Sequence, residues 1–477
     1  MKMLTILWIA LPFVLGFVGY LLPKLARYLA LGGAIASTGY ALLLLTQPPI
    51  ALQLLDRFGV TLFADALSGF FVLTNAIVTA AVVFYCWNSD KTAFFYLQMM
   101  VLHGSVNAAF VCADFMSLYV ALEVISIAAF LLISYPRSDR SIWVGLRYLF
   151  TSNVAMLFYL IGVILVYQAT HSFAFAGLAE APPEALALIF LGLLVKGGIF
   201  VSGLWLPLTH SESETPVSAL LSGVVVKAGV FPLVRCALLV SEVDPLIRIF
   251  GVSTALLGVS YAVFEKDTKR MLAFHTVSQL GFILAAPIVG GFYALTHGLV
   301  KSALFLIAGI LPSRNFKDLH QQPISRTIWI ALAIASFSIS GFPLLSGFGA
   351  KVLTTKNLLP WQVIAMNLAA LGTAISFAKF IFLPHQPSEK PEKLQPGFWA
   401  AMALLLGGLV VANVVYYEAY TVANIIKPLL TIGLGWLAYF LIFRRVTIKL
   451  PRMLEQLDHL MGVMSLMLVL LFWMVMA

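Results

Sequence analysis

The stretch Ser218-Ala219-Leu220-Leu221-Ser222-Gly223-Val224-Val225-Val226-Lys227-Ala228-Gly229 decides the reading of this chain. It lies in an apolar run over 217–240, long enough to cross a bilayer, for which about 20 apolar residues suffice. A lysine stands near its middle. Three other long apolar runs carry a charge in the same place: Glu123 in 115–135, Lys196 in 186–207 and Lys301 in 291–311. At 1.5 Å per residue, all four sit near mid-depth. A charge at the centre of a membrane helix costs about 2.5–3.5 kcal/mol on insertion scales. Four such charges in separate spans point to a pathway for protons or small cations through the protein interior.

The rest of the chain has the same character. Of its 477 residues, 61% are hydrophobic and only 10% charged, a balance that leaves too little charge for the surface of a soluble domain. The fold class is therefore all-α and polytopic. The apolar runs number about 16: 4–22, 26–46, 61–87, 93–112, 115–135, 142–168, 186–207, 217–240, 245–264, 270–289, 291–311, 327–354, 362–383, 398–417, 421–443 and 460–476. The first reads as a retained span rather than a cleaved leader, because no small-residue cleavage site follows it. Cys86, Cys112 and Cys236 lie far apart, and neither a paired-cysteine motif nor a glycine-rich phosphate loop occurs. The sequence therefore predicts no cofactor and no metal. All loops are short, so a soluble catalytic partner would be another chain.

The charges outside the spans test the count. One alternate set of loops, from Lys24 and Arg27 through Lys266 to Arg444, Arg445, Lys449 and Arg452, holds 17 positive residues, Lys390 and Lys393 among them. The opposite set holds four: Lys2, Arg57, Arg248 and Lys356. The positive-inside rule puts the rich side in the cytoplasm and both termini outside. The net charge of +9 is largely this signal and indicates no nucleic-acid partner. The segment Arg444 to His459 reads either as an amphipathic stretch along the cytoplasmic interface or as a plain polar loop.

Two spans carry break signals, at Trp205-Leu206-Pro207-Leu208-Thr209-His210 and at Ser340-Gly341-Phe342-Pro343-Leu344-Leu345-Ser346-Gly347-Phe348. Glycine and proline at membrane depth free backbone groups that lipid cannot satisfy. The broken spans are the seventh and the twelfth. An offset of five inverts topology, so the pair points to inverted repeats and an ion path.

Burial disfavours the charged form of a lysine or a glutamate, and a nearby opposite charge restores it. A Lys–Glu pair is thus poised to exchange a proton as its members separate. His297 lies four residues before Lys301, on the same helix face, where it reads as a relay. His275 with Ser278 and Gln279 forms a polar patch, for which relay and interhelical glue are both open. Lys351, just past the second break, is expected to face a hydrated cavity. Arg147 reads as a structural ion-pair partner, while Arg235 and Lys379, towards helix ends, read as snorkelling side chains. Asp65 and Asp114 are expected helix caps, Thr215-Pro216 an N-cap and first helical residue, and Glu212 and Glu214 a solvated loop.

These residues carry a resemblance. Leu194-Val195-Lys196, Trp205-Leu206-Pro207 with His210, and the opening stretch through Lys227 resemble the antiporter-like subunits of Mrp-type sodium/proton antiporters, respiratory complex I and membrane-bound hydrogenases. Lys266-Asp267-Thr268-Lys269-Arg270, Ser278-Gln279-Leu280-Gly281, His297 with Lys301-Ser302-Ala303, the Gly341–Phe348 stretch with Lys351, and Phe63-Ala64-Asp65-Ala66-Leu67-Ser68 extend it over roughly 60–385. The Ser-Ala-Leu-Leu-Ser-Gly stretch before Lys227 looks most like the D-type subunits of the Mrp antiporters. His275 departs from the family, which more often has a small hydroxyl residue there.

The resemblance implies about 14 core helices with two inverted five-helix repeats, plus about two C-terminal helices. The expected divisions are 1–92, 93–241 (helices 4–8), 242–384 (helices 9–13) and 385–477. It implies that Glu123 pairs with Lys196, that Lys227, His297 and Lys301 relay along the axis, and that Lys351 ends the path. The expected function is an ion-translocating subunit of a multisubunit sodium/proton antiporter. A proton-pumping subunit of complex I or a membrane-bound hydrogenase is the alternative. A further one is a membrane subunit that drives inorganic carbon uptake with a soluble zinc-type partner. The expected partners are other integral membrane subunits, protons, Na+ and the lipid bilayer, in a bacterial inner membrane. The chain itself reads as a secondary transporter, a translocase only within a redox complex.

Overall fold

The computed structural model describes residues 2–55, 59–387, 396–446, 448 and 450–476. Arg57, Lys390, Lys393 and Lys449, part of the loop-charge tally, lie outside them. The helices in chain order are α1 (Lys2–Leu21), α2 (Ala26–Thr46), α3 (Ala66–Tyr85), α4 (Ala93–Ala109), α5 (Phe115–Ile133) and α6 (Asp139–Thr170). The seventh crossing is split into α7 (Pro183–Gly197), a tight 3₁₀ segment (Phe200–Trp205) and α8 (Leu206–Glu212). The eighth joins α9 (Thr215–Leu220) to α10 (Lys227–Leu239) through a π turn at Leu221–Val225. Then follow α11 (Val243–Phe264), α12 (Thr268–Ala285), α13 (Gly290–Ala308) and the short α14 (Phe316–Leu319). The twelfth crossing is split into α15 (Arg326–Ser340) and α16 (Ser346–Lys356), and α17 (Val363–Ile381), α18 (Pro396–Val415), α19 (Val422–Ala438) and α20 (Leu457–Met476) complete the chain.

Among the described residues 13 helical segments are long and apolar enough to cross a membrane. Three more complete the sequence-predicted set: α4, which is short, α12, which is rich in polar residues, and the divided α15–α16 pair. The chain is a multi-pass membrane protein. The third span is corrected from 61–87, because Ile50–Leu55 (β1) and Gly59–Ala64 (β2) form an antiparallel hairpin and α3 begins only at Ala66. The apolar alternation of the second strand has the hydropathy of a helix without its period.

Caps set several helix starts. The Asp65 side chain accepts from the Ser68 amide and that of Asp114 from the Ser117 amide, as expected of N-caps. Thr215 is instead the first helical residue, with Glu214 before it and no side-chain cap, which corrects the predicted role of that pair. Arg248, counted with the loops, lies inside α11 and is nearly buried, paired with Asp244 at 2.7 Å and donating to the carbonyls of Ala285 and Asn357.

The helices pack through small residues, as expected where lipid gives no hydrophobic drive to association. A Cβ on Gly258 of α11 would lie 2.3 Å from the Ser278 amide nitrogen of α12, and one on Gly281 only 2.4 Å from that of Ala255. The last two helices bracket the bundle: α19 packs on α17, whereas α20 returns to pack on α6 and α7. Between them, the stretch 444–456 forms no interfacial helix among its described residues. It carries one 3₁₀ turn, Met453–Glu455, whose Glu455 is buried, so the amphipathic expectation is corrected.

Candidate functional site

Both broken crossings turn on a glycine in the left-handed region. The α7 helix ends at Gly197 with Gly198 at φ +70°, and α15 ends at Ser340 with Gly341 at φ +85°. The first break therefore lies upstream of the sequence-predicted Trp205-Leu206-Pro207. Pro207 sits in the first turn of α8, where its missing N–H costs nothing.

Lys196 occupies the last turn of α7 beside this break. Its ammonium lies 3.9 Å from Glu123 Oε1, and it donates to the hydroxyls of Ser126 on α5 and Ser152 on α6. The Glu123 side chain is 24% exposed, so one of its faces is open to lipid or to a neighbouring subunit. The expected pair is therefore present, with two hydroxyls as its third and fourth members. Neither serine was singled out from sequence; the available signal was the three-residue offset of Ser126 from Glu123 on one helix face.

Gly229 carries the line from Lys196 to Lys227. A Cβ there would lie 2.3 Å from the Gly197 nitrogen, so α10 and α7 meet backbone to backbone next to both lysines. Lys227 is fully buried. Its Nζ donates to the carbonyls of Gly223 at 2.6 Å and Ser222 at 3.3 Å. Those carbonyls belong to the π turn, which widens the helix and leaves acceptors outside the regular ladder.

Gly298 of α13 lies over the same group, 3.5 Å from the lysine nitrogen measured from its would-be Cβ. One residue earlier stands His297, buried, with neither ring nitrogen hydrogen-bonded to a protein group. Lys301, also fully buried, donates to the Leu272 carbonyl of α12. A small cavity of about 10 Å³, room for about one water, joins His297 to Lys351 past Gln279 and Tyr293. Lys351 donates to the Ser340 carbonyl at the end of α15, at 3.1 Å. A larger opening of about 260 Å³, lined by Lys351, Thr355, Asn367, Asn424 and Lys427, begins on its other side.

Among the described residues no carboxylate lies within 4 Å of Lys227, Lys301 or Lys351; backbone carbonyls hold all three, at the π turn for Lys227, within α12 for Lys301 and at the end of α15 for Lys351. Such a lysine gains or loses its proton without breaking an ion pair. His275 is buried with both ring nitrogens unpartnered, its ring 4.7 Å from that of Phe377. Its expected partners turn elsewhere: Ser278 donates to the Ala255 carbonyl, and Gln279 accepts from Tyr293.

Four expectations beside the line are corrected. Arg235 does not snorkel but makes a two-pronged pair with Asp65, at 2.6 and 2.8 Å. Lys379 turns inward to the carbonyls of Ala262 and Glu265. Arg147 has no carboxylate partner within 4 Å among the described residues; it donates to the carbonyls of Trp205 and Glu455. Glu212 and Glu214 are not a free solvated loop, for Glu214 binds Lys91 at 2.7 Å and Glu212 approaches Arg140 and Arg314.

A second polar group lay unread in the sequence. His103 of α4 is bonded through one ring nitrogen to Ser37 at 2.8 Å and through the other to Thr79 at 3.1 Å, with Asn75 and Asn107 completing the network. Every ring nitrogen there has a partner, which distinguishes His103 from His275 and His297.

Comparison with known proteins agrees with this geometry. The family model described as NADH:quinone oxidoreductase/Mrp antiporter, TM matches residues 112–376, more than half of the chain and all the lysines of the line. The chain is 28% identical over 454 residues to the D-type subunit of the Na(+)/H(+) antiporter of Alkalihalophilus pseudofirmus, covering 85% of this chain and 91% of the relative. It is 29% identical over 423 residues to the N-type subunit of the NADH-quinone oxidoreductase of Desulforudis audaxviator, covering 79% and 81%. A chain of the Mrp complex from Dietzia sp. DQ12-45-1b superposes with a TM-score of 0.80 at 22% identity, over 97% of this chain and 59% of that one, a likeness of fold. The chain belongs to the NADH:quinone oxidoreductase/Mrp antiporter transmembrane family.

Proposed function

We propose that this chain is the ion-translocating membrane subunit of a multisubunit monovalent cation/proton antiporter. Protons pass along Glu123, Lys196, Lys227, His297, Lys301 and Lys351, with His275 beside the path, and Na+ is the exchanged cation. The observation that carries the reading is the run of basic groups from the Glu123–Lys196 pair to the opening at Lys351, with Lys196, Lys227 and Lys351 each at a helix irregularity. The Na(+)/H(+) antiporter relative, covered over most of its length, supports the choice of partner complex. Two inverted repeats, 93–241 and 242–384, account for breaks in the seventh and twelfth crossings. The loop charges support termini that both face outside, and the likeness to the antiporter subunit of Alkalihalophilus pseudofirmus supports a bacterial inner membrane.

The test is Lys227→Ala in the assembled complex, with cation-driven proton movement followed in membrane vesicles. Loss of transport at unchanged assembly is expected, and normal transport would overturn the relay. A second reading, a proton-pumping subunit of a redox complex, is favoured by the similarity to the NADH-quinone oxidoreductase relative. Mass spectrometry of the gently solubilised native complex separates the two. Small antiporter subunits support the first, and iron–sulfur subunits the second.

A further inference from the structure

The carboxylate of Glu455 stands outside the fourteen-helix core, yet it is buried against it. At the end of the bundle where α12 starts, a cleft of about 390 Å³ is lined by Glu265, Lys266, Arg270, Arg452 and Glu455. Its inner wall is an ion pair: Arg270 binds Glu455 at 2.6 Å and Glu265 at 3.2 Å, with all three side chains under a tenth exposed. Behind that wall the Arg147 guanidinium donates to the backbone carbonyl of Glu455 and, at 3.5 Å, to that of Trp205.

Trp205 also lines a small cavity with Tyr148, Thr151, Ser152 and Lys196. The Thr151 hydroxyl, one turn beyond Arg147 on α6, is buried without a hydrogen-bond partner, and so is Arg147 Nε. A buried polar atom left unpaired costs about 1–3 kcal/mol. A simple staple for the last helix would need neither of these atoms nor a cavity. Between the cleft and Lys196 stand Glu455, whose carbonyl holds Arg147, then Thr151, unpartnered at the wall of the small cavity, and Ser152, which accepts from the lysine.

We propose that the Arg270–Glu455 pair closes a proton access route that runs from this cleft past Arg147 and Thr151 to Lys196, so that the turn before α20 gates the first lysine of the path. This rests on the relay described above. The carriers are the Glu455 carboxylate and the hydroxyls of Thr151 and Ser152. Arg147, permanently charged, is a positioning residue that ties the turn to the break in the seventh crossing. The gate has a structural reason. Because α19 packs on α17 and α20 on α6 and α7, the Met453–Glu455 turn spans the route between them.

The test is thiol labelling of a Thr151→Cys variant of the assembled complex in sealed vesicles, by a small charged thiol reagent applied to each face in turn. Cys86, Cys112 and Cys236 are buried and give the background. Labelling is expected to be slow with Glu455 present. In a Glu455→Ala background it should rise at least about tenfold from the face bearing the α11–α12 loop, and from that face only. A Thr79→Cys control, in the polar network of the first four helices, should stay unreactive in both backgrounds. An unchanged Thr151→Cys rate overturns the proposal, as does a rise at both sites or from both faces, which would report general loosening. If Thr151→Cys does not assemble, Tyr148→Cys reports on the same cavity. Labelling needs no transport. Fast labelling beside a normally active Lys227→Ala overturns the relay and keeps the route, and unchanged labelling beside an inactive one does the reverse.

Discussion

The pair between Asp65 and Arg235 ties α3 to the end of α10, and removing its carboxylate should be among the costliest single changes outside the lysine line. Asp65 receives the two terminal nitrogens of Arg235 at 2.6 and 2.8 Å and the Ser68 amide at 3.0 Å. The Arg235 and Asp65 side chains are 8% and 18% exposed, so solvent screens the pair little. Asp65→Ala removes an N-cap worth about 1 kcal/mol. It also strands a buried guanidinium, and breaking a buried pair from one side costs about 3–5 kcal/mol. The two losses share one carboxylate and do not fully add, so about 4–5 kcal/mol is expected. Arg235→Met in the same background removes the stranded charge and should recover all but about 1–2 kcal/mol. The assay is detergent-titrated unfolding of the purified chain in micelles for both single variants and the double variant. A cost below about 1 kcal/mol for Asp65→Ala, or a double variant no more stable than that single one, would refute the reasoning. Arg235 stands about 12 Å along the helix axis from Lys227, so transport should fall and recover with stability.

Gly298→Ala should place a methyl 2.2 Å from Thr74 Cγ2, forcing α13 away from α3 and Lys227. Overpacking of this kind costs about 1–3 kcal/mol; transport should drop severalfold, and Thr74→Ser, which lacks the colliding methyl, should restore it. Ser126→Ala with Ser152→Ala removes both hydroxyl partners of Lys196, and transport assays should show about a thirtyfold loss, at about 1 kcal/mol for each hydrogen bond; an unchanged rate would remove the serines from the site. Burial alone would raise the Glu265 carboxyl, but Arg270 and the backbone N–H groups of Asp267 and Lys266 outweigh it and hold the group below its ordinary 4.5. A carboxylate depressed on folding stabilises above its unfolded pKa, and that contribution is lost as pH falls through the folded one. Thermal stability should therefore be level down to about pH 5 and decline below about 4.5, with the decline reduced in Glu265→Gln.

Much of this architecture is readable from hydropathy because a bilayer demands long apolar helices with satisfied backbones. The spans, the two interrupted crossings and the charges at mid-depth are one-dimensional signals. What escaped the sequence depends on which helices touch. Ser152 meets Lys196 only because α6 packs on α7, and Asp65 meets Arg235 across α3 and α10. Glu455 was not singled out, because nothing in its neighbourhood reveals that the chain returns to α12. Local backbone forms were misplaced for a different reason. The strand at 59–64 is as apolar as the helix after it, and Pro207 drew attention from Gly198, where the helix actually ends.

The π turn at Leu221–Val225 also bears on how such a chain changes over generations. It amounts to one supernumerary residue in an otherwise regular helix, and each residue advances a helix by about 100°. Losing a single codon there would restore an ordinary ladder and withdraw the carbonyls of Ser222 and Gly223 from Lys227, while the helix on either side keeps its facing because the wide turn had absorbed the extra residue. Substitutions in this segment act by degrees, whereas an insertion or deletion acts as a switch. A lineage abandoning ion movement while keeping the scaffold would therefore be expected to show a length change of one at this point before it shows a lost lysine.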